Sequence, residues 1–126
     1  MNLELARPGV GRLDNSMRLY VLDARVADAA VLADAPRLRA ILQAAAAGGG
    51  ATVVGEAFHV FPNGGVTGVL VLAQSHLSIH TWPELRLANI DLLTYGDVDA
   101  DAVLDVLRTA LRPERLEVVQ VTRGRP

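Results

Sequence analysis

The side chains best equipped for chemistry in this chain are crowded into one stretch, Gln74-Ser75-His76-Leu77-Ser78-Ile79-His80-Thr81-Trp82-Pro83-Glu84. It holds two serines, a threonine, two of the three histidines, the single tryptophan and a carboxylate, while its flanks are mostly Val, Leu, Ala and Gly. An imidazole moves protons near neutral pH, and a hydroxyl becomes a nucleophile once a base assists it. Read as a strand, the segment puts His76, Ser78 and His80 on one face and Leu77, Ile79 and Thr81 on the other, because side chains alternate with period two. Two histidines four apart along a strand reach one ion poorly, and no acidic or cysteine partner stands at a recognisable spacing, so no metal is expected. A G-x-S-x-G elbow is absent around Ser75, which argues against a hydrolase. On residue types alone, a half-exposed strand with incidental polar groups stays open.

The rest of the composition narrows the chemistry. With no cysteine, the chain has no disulfide, no thiolate nucleophile and no sulfur-ligated metal. Every basic residue is arginine, so no lysine can bind pyridoxal phosphate as an internal Schiff base. Amine chemistry here needs an electrophile from elsewhere. A net charge of -2, from 12 basic and 14 acidic residues interspersed along the chain, leaves no footprint for nucleic acid or an anionic membrane. Apolar runs fall well short of the ~20 residues that span a bilayer, and the N-terminus lacks the order of a secretory signal. The expected setting is cytoplasmic.

The elements that must position the cluster can be read in order. Residues 1–16, with Pro8, Gly9 and Gly11, read as a loose lead-in, and 17–126 as a single domain. Met17 to Val26 is expected to be a strand. Asp34 caps a helix with Pro36 in its first turn and Leu38, Ile41, Leu42 and Ala45 on one face; Gly48-Gly49-Gly50 ends it rather than forming a phosphate loop. Strands follow at Ala51–Phe61, Val66–Ala73, Leu77–Trp82 and Leu87–Thr94, the first two joined by the turn Pro62-Asn63-Gly64-Gly65. Asp99 caps a second helix carrying Val103, Val106, Leu107, Ala110 and Leu111, Pro113 stops it, and Arg115–Thr122 is the last strand. The order β-α-β-β-β-β-α-β predicts an α/β (α+β) two-layer sandwich, an antiparallel sheet with both helices on one face. The uncovered face would be buried against a second copy, giving a homodimer.

Ser75-His76-Leu77-Ser78-Ile79-His80-Thr81-Trp82-Pro83-Glu84 resembles the self-cleavage segment of the bacterial and archaeal S-adenosylmethionine decarboxylases, whose pattern reads E-S-H-x-[ST]-I-H-T-W-P-E. Gly50-Ala51-Thr52-Val53-Val54, Phe58-His59-Val60-Phe61, Gly65-Val66-Thr67-Gly68-Val69, Ile90-Asp91 and Arg123-Gly124-Arg125 resemble the family at the same spacing. The resemblance implies a pyruvoyl-dependent proenzyme of polyamine (spermidine) biosynthesis acting on a small-molecule substrate. Ser75 would attack the carbonyl of Gln74, and elimination with loss of ammonia would leave a pyruvoyl group at position 75, an electrophile that takes a substrate amine as a Schiff base. It further implies that His80 removes the Ser75 Cα proton and that Thr67 assists processing. Phe61 would stack on adenine and Glu84 would bind ribose hydroxyls, with Trp82 and Arg86 beside them in the substrate site.

This sequence departs from the family pattern in four places. Gln74 stands for glutamate before the cleaved bond. Tyr95 stands where a cysteine protonates the substrate Cα, and a phenol is bulkier, with its oxygen farther from the backbone. Leu85-Arg86-Leu87 replaces a Tyr-Gly-Tyr-like segment, and Ser16-Met17-Arg18 replaces Gly-Arg-His. Tyr95 and Arg86 make arginine or ornithine an alternative substrate, and an unprocessed, non-catalytic dimeric paralogue is a further alternative.

Overall fold

The computed structural model describes residues 17–124. The expected lead-in over 1–16 and the Arg125 of the C-terminal match lie outside the described residues. Six strands, β1 (Met17–Val26), β2 (Val53–Val60), β3 (Val66–Leu72), β4 (His76–Trp82), β5 (Leu87–Tyr95) and β6 (Pro113–Arg123), form one sheet in the order β2-β3-β4-β5-β1-β6. Every pairing is antiparallel. Two helices, α1 (Ala35–Gly48) and α2 (Ala100–Leu111), lie on one face, as the α+β sandwich predicts.

Both helices begin where their capping signals stand. The Asp34 and Asp99 carboxylates accept from the backbone N–H groups of Arg37 and Ala102, satisfying donors that the first turn leaves open. Helix α1 buries Leu38, Ile41, Leu42 and Ala45 as expected, together with Ala46. On α2 the innermost residues are Val103, Leu104, Leu107 and Leu111, with Val106 and Ala110 only partly buried. The helices converge at Gly49, where a Cβ would lie 2.3 Å from a Val103 methyl. No other residue fits there without moving α2, so the glycine run serves packing as well as helix termination.

The strands meet the helices through one face each. Leu22, Ala24 and Val26 of β1, Leu70 and Leu72 of β3, Leu77 and Ile79 of β4, and Ala88, Ile90 and Leu92 of β5 all join the core. Thr81 is the polar exception on β4's inner face. Its hydroxyl donates to the Leu32 carbonyl at 2.7 Å and accepts from the Val66 N–H at 2.9 Å, so its burial costs little. Two short 3-10 turns, Ala29–Ala33 and Pro83–Leu85, were not among the expected elements. Both lie in connections whose Ala, Leu and Pro content carries no alternation. Among the described residues, no helix is long and apolar enough to cross a membrane.

Among the described residues, no helix lies on the other sheet face. Val69, Val71, Leu19, Val21, Leu93, Val119 and Val121 alternate outward onto it, with Val71, Val119 and Val121 exposed. Such an apolar face on a small domain is the surface a second subunit would cover.

Candidate active site

The sequence cluster is not one site in a single chain. Strand β4 runs through it and delivers its two ends to different places. Ser75 precedes the first paired residue of β4 and closes a tight hairpin with β3: the Leu72 N–H donates to the Ser75 carbonyl at 2.9 Å, leaving Ala73 and Gln74 exposed at the apex. The Ala73 N–H donates to the Thr52 carbonyl at 2.9 Å, tying the apex to the residue just ahead of β2.

Gln74, Ser75 and Tyr95 line a cleft of about 200 Å³ with Thr52, Asp97 and Val98. Register explains the meeting: His76 pairs with Leu93, so the antiparallel ladder carries Tyr95 back to the hairpin apex. Gly96 turns the chain there with φ 78°, and the Gln74 Oε1 lies 3.5 Å from where a Cβ at Gly96 would sit. Tyr95 thus stands in the wall of the cleft that contains Ser75. Asp97, which sequence reasoning missed, adds an exposed carboxylate to that wall.

The second group sits toward the far end of β4, on the uncovered face. Thr67 of β3 is directly opposite His80, and its Oγ1 lies 2.6 Å from His80 Nδ1; either group can donate. Phe61 and Trp82 flank the imidazole, with ring centroids 5.6 Å and 4.4 Å away. His59 packs edge-on against Phe61 at 4.6 Å. Glu84, in the turn after Trp82, accepts from the Asn63 amide at 3.4 Å, so the Pro62–Gly65 turn and the Pro83–Leu85 turn meet. Thr67, His80, Phe61 and Trp82 therefore gather as a group, with Glu84 in the turn that follows Trp82.

Arg86 is set apart from both groups as a side chain. It is exposed, its backbone caps the Pro83–Leu85 turn at φ 51°, and its carbonyl accepts from the Val26 N–H at 3.0 Å. That left-handed conformation is one glycine takes freely. Nothing directs the guanidinium into the His80 group.

Ser75 and His80 are five residues apart along an extended strand, roughly 16 Å at ~3.3 Å per residue. A base must come within about 3 Å of the proton it takes. One chain cannot bring its own His80 to its own Ser75 without dismantling β4. His76 and His80 share a face but are roughly 13 Å apart by the same rise, and among the described residues no three His, Asp or Glu side chains gather as a metal site.

Two further polar residues join the His80 group. Asn89, opposite His80 on β5, accepts from Trp82 Nε1 at 2.7 Å and donates to Asp23 on β1 at 2.8 Å. The signal for Asn89 was present as the polar, outward alternation of Asn89 and Asp91 on β5, while its pairing with Asp23 comes from register between β5 and β1.

Residues 18–124 match the family described as S-adenosylmethionine decarboxylase. Relatives named S-adenosylmethionine decarboxylase proenzyme include one from Thermotoga petrophila, 44% identical over 99 residues that cover 78% of this chain and 76% of that protein. One from Methanococcus vannielii is 43% identical over 94 residues, covering 74% of this chain and 77% of that protein. A third, from Thermomicrobium roseum, is 52% identical over 64 residues, covering 50% of this chain and 55% of that protein. The crystal structure of the adenosylmethionine decarboxylase from Aquifex aeolicus VF5 superposes with a TM-score of 0.81 at 31% identity, covering 90% of this chain and 94% of that one. With the match running through nearly all of the described residues in both sequence and topology, the chain belongs to the S-adenosylmethionine decarboxylase family, whose members are carboxy-lyases.

Proposed function

We propose that this chain is a proenzyme that cuts its own Gln74–Ser75 bond and then decarboxylates S-adenosylmethionine as a homodimer with shared active sites. The observation that carries the reading is the place of Ser75, at the apex of a hairpin and in the wall of a cleft, where a backbone break leaves both strands paired.

Processing uses this chain's own groups. The Ser75 Oγ attacks the Gln74 carbonyl carbon, the C–N bond breaks, and the hydroxyl proton passes to the departing nitrogen, leaving an ester. Removal of the Ser75 Cα proton expels the Gln74 carboxylate and leaves a dehydroalanine end, which tautomerises to an imine. One water adds and one ammonia leaves. The attacked group is a backbone carbonyl, so an amide side chain at position 74 does not block the first step. Ser75 fits the product: it is half-buried against the cleft and followed at once by a paired strand. A pyruvoyl group formed there would supply the electrophilic carbonyl and electron sink that a lysine-free chain lacks.

His80 is the base for the Cα proton, and the reach of β4 requires it to come from the second subunit. A two-fold pairing of the uncovered faces, with β4 strands running in opposite directions, sets each Ser75 end against the partner's His80 end. That arrangement also covers the outward apolar residues. Thr67 holds Nδ1 of His80, which points the imidazole. Phe61 and Glu84 flank the same group, the one offering a stacking face for adenine and the other a carboxylate for ribose hydroxyls. Tyr95, beside Ser75, is placed to return a proton to the substrate Cα.

Asp97 and Tyr95 favour one second reading, a basic amino acid whose cationic side chain is taken by the carboxylate at the cleft wall. Intact mass measurement tests the processing claim: chains of residues 1–74 and 75–126 are expected, and a persistent full-length mass would sink it. Carbon dioxide release from carboxyl-labelled S-adenosylmethionine, arginine and ornithine, side by side, decides the substrate.

A further inference from the structure

Cross-strand register sets Asp23, Asn89, His80, Thr67 and His59 in one row across five strands of the uncovered face. The processing chemistry uses His80 and Thr67 and leaves Asp23 and Asn89 without a task. Yet both are committed to one hydrogen-bonded chain. The Trp82 indole N–H donates to Asn89 Oδ1 at 2.7 Å, and Asn89 Nδ2 donates to Asp23 Oδ1 at 2.8 Å. The amide can face only one way, because an indole N–H only donates and a carboxylate only accepts. The far end of this chain is the indole ring that abuts His80, centroid to centroid 4.4 Å at 60°.

The geometry bears on how well the imidazole is held. Thr67 fixes Nδ1, but one hydrogen bond leaves the ring free to swing about it. The Phe61 ring stands 5.6 Å from it and the indole, nearer, 4.4 Å. Within one chain Trp82 is 38% exposed at the end of its strand, so the packing of its own chain does not fix its rotamer. Its tether to Asn89 does, and the carboxylate of Asp23 strengthens and orients the amide.

We propose that Asn89 and Asp23 are positioning residues for the processing base: they lock Trp82, and Trp82 holds the His80 imidazole in line with the Ser75 Cα proton presented by the second subunit. This rests on the reading of His80 as that base. A purely structural role on the face where the subunits meet would act by weakening the dimer, so each variant is first shown by native size measurement to remain dimeric, and a structural role then predicts a nearly unchanged cleavage rate.

The test follows self-cleavage of the full chain by intact mass, with and without hydroxylamine, and reads the single tryptophan by fluorescence anisotropy. Hydroxylamine splits the ester intermediate and spares the peptide bond. Asn89→Leu is expected to slow fragment formation about tenfold or more, part of the ~10²–10⁴ that a positioned base supplies. Ester should accumulate, since the acyl shift precedes proton removal, and anisotropy should fall as Trp82 loosens. Asn89→Asp alone sets two carboxylates side by side and should also be slow. Adding Asp23→Asn to it should restore the rate, because an amide at position 23 then donates to a carboxylate at 89 that still accepts from Trp82. A wild-type rate in Asn89→Leu, slow cleavage without ester, or no rescue in the swapped pair overturns the proposal. A wild-type chain that never cleaves refutes the reading of Ser75 itself, and the positioning role with it.

Discussion

The shared site makes a prediction that a site within one chain cannot meet. Ser75→Ala removes the nucleophile and His80→Ala removes the base, so each homodimer should remain uncut or stall. Mixing the two variants by joint unfolding and refolding, or by co-expression, forms heterodimers. In each, one site has lost both groups, while the other pairs an intact Ser75 on the His80→Ala chain with an intact His80 on the Ser75→Ala chain. Random pairing at equal amounts makes about half the dimers mixed, so about a quarter of all sites become competent. Roughly half of the His80→Ala chains should then mature, and none of the Ser75→Ala chains. The magnitude comes from geometry. The roughly 16 Å between the two positions on β4 exceeds the ~3 Å reach of proton transfer several-fold, so trans assembly should account for all of the recovered cleavage. Mass spectrometry separates the two chains by their substitutions. Maturation of the His80→Ala homodimer at the wild-type rate, or no recovery in mixtures shown to contain heterodimer, would refute the argument.

Three further outcomes follow from other parts of the fold. After cleavage the two fragments should stay together in native size measurements and separate only in denaturant, because β1 of fragment 1–74 lies between β5 and β6 of fragment 75–126. Fragments that part on gel filtration without denaturant would contradict the interleaved sheet. Arg86→Gly should stabilise the chain by about 1 kcal/mol, measured as a raised denaturant midpoint, since Arg86 holds φ 51° and glycine adopts the left-handed region without a Cβ clash. The Glu56 carboxyl is held below its ordinary value by the hydrogen bond from Arg39, with a second from Gln43. Because the folded value is the lower one, this tie contributes above the unfolded carboxylate value of ~4.3 and is lost as pH falls through the folded value. Denaturant titrations from pH 6 downward should show Glu56→Gln converging with wild type in acid, and a constant gap would remove the linkage.

Much of the scaffold was legible because it rests on local rules. Asp34 and Asp99 mark both helix starts, and the alternation in His76–Trp82 assigns each side chain to the face it occupies. The chain's resemblance to a family brought together residues that no local rule could. What stayed hidden depends on distance and on the third dimension. Period two tells which face a residue occupies but says nothing of reach, so a compact run of reactive side chains read as one site when extended backbone splits it in two. The pairing of Asn89 with Asp23 was hidden for a related reason, since it comes from register between strands 66 residues apart in sequence. Arg86 reads in the sequence as a charge beside the substrate, and the left-handed φ its backbone must hold is a constraint the sequence does not display.

The position of Ser75 reconciles a chain break with a precise active site. A new terminus ordinarily frays, and a reactive group on a frayed end would wander. Here the residue after the break, His76, pairs at once with Val71 on one side and Leu93 on the other. The next residue, Leu77, is fully buried, and Ile79 lies in the same core two positions on. At about 1.5–3 kcal/mol for each such side chain, their burial pins the strand within two residues of its new end. The other end is held differently: Ala73 keeps its tie to Thr52, whereas Gln74 is exposed and has only the cleft mouth above Gly96 to rest on. On the proposed cut between them, the half that would carry the reactive carbon stays pinned by its strand, while the half ending at Gln74 keeps only the tie at Ala73.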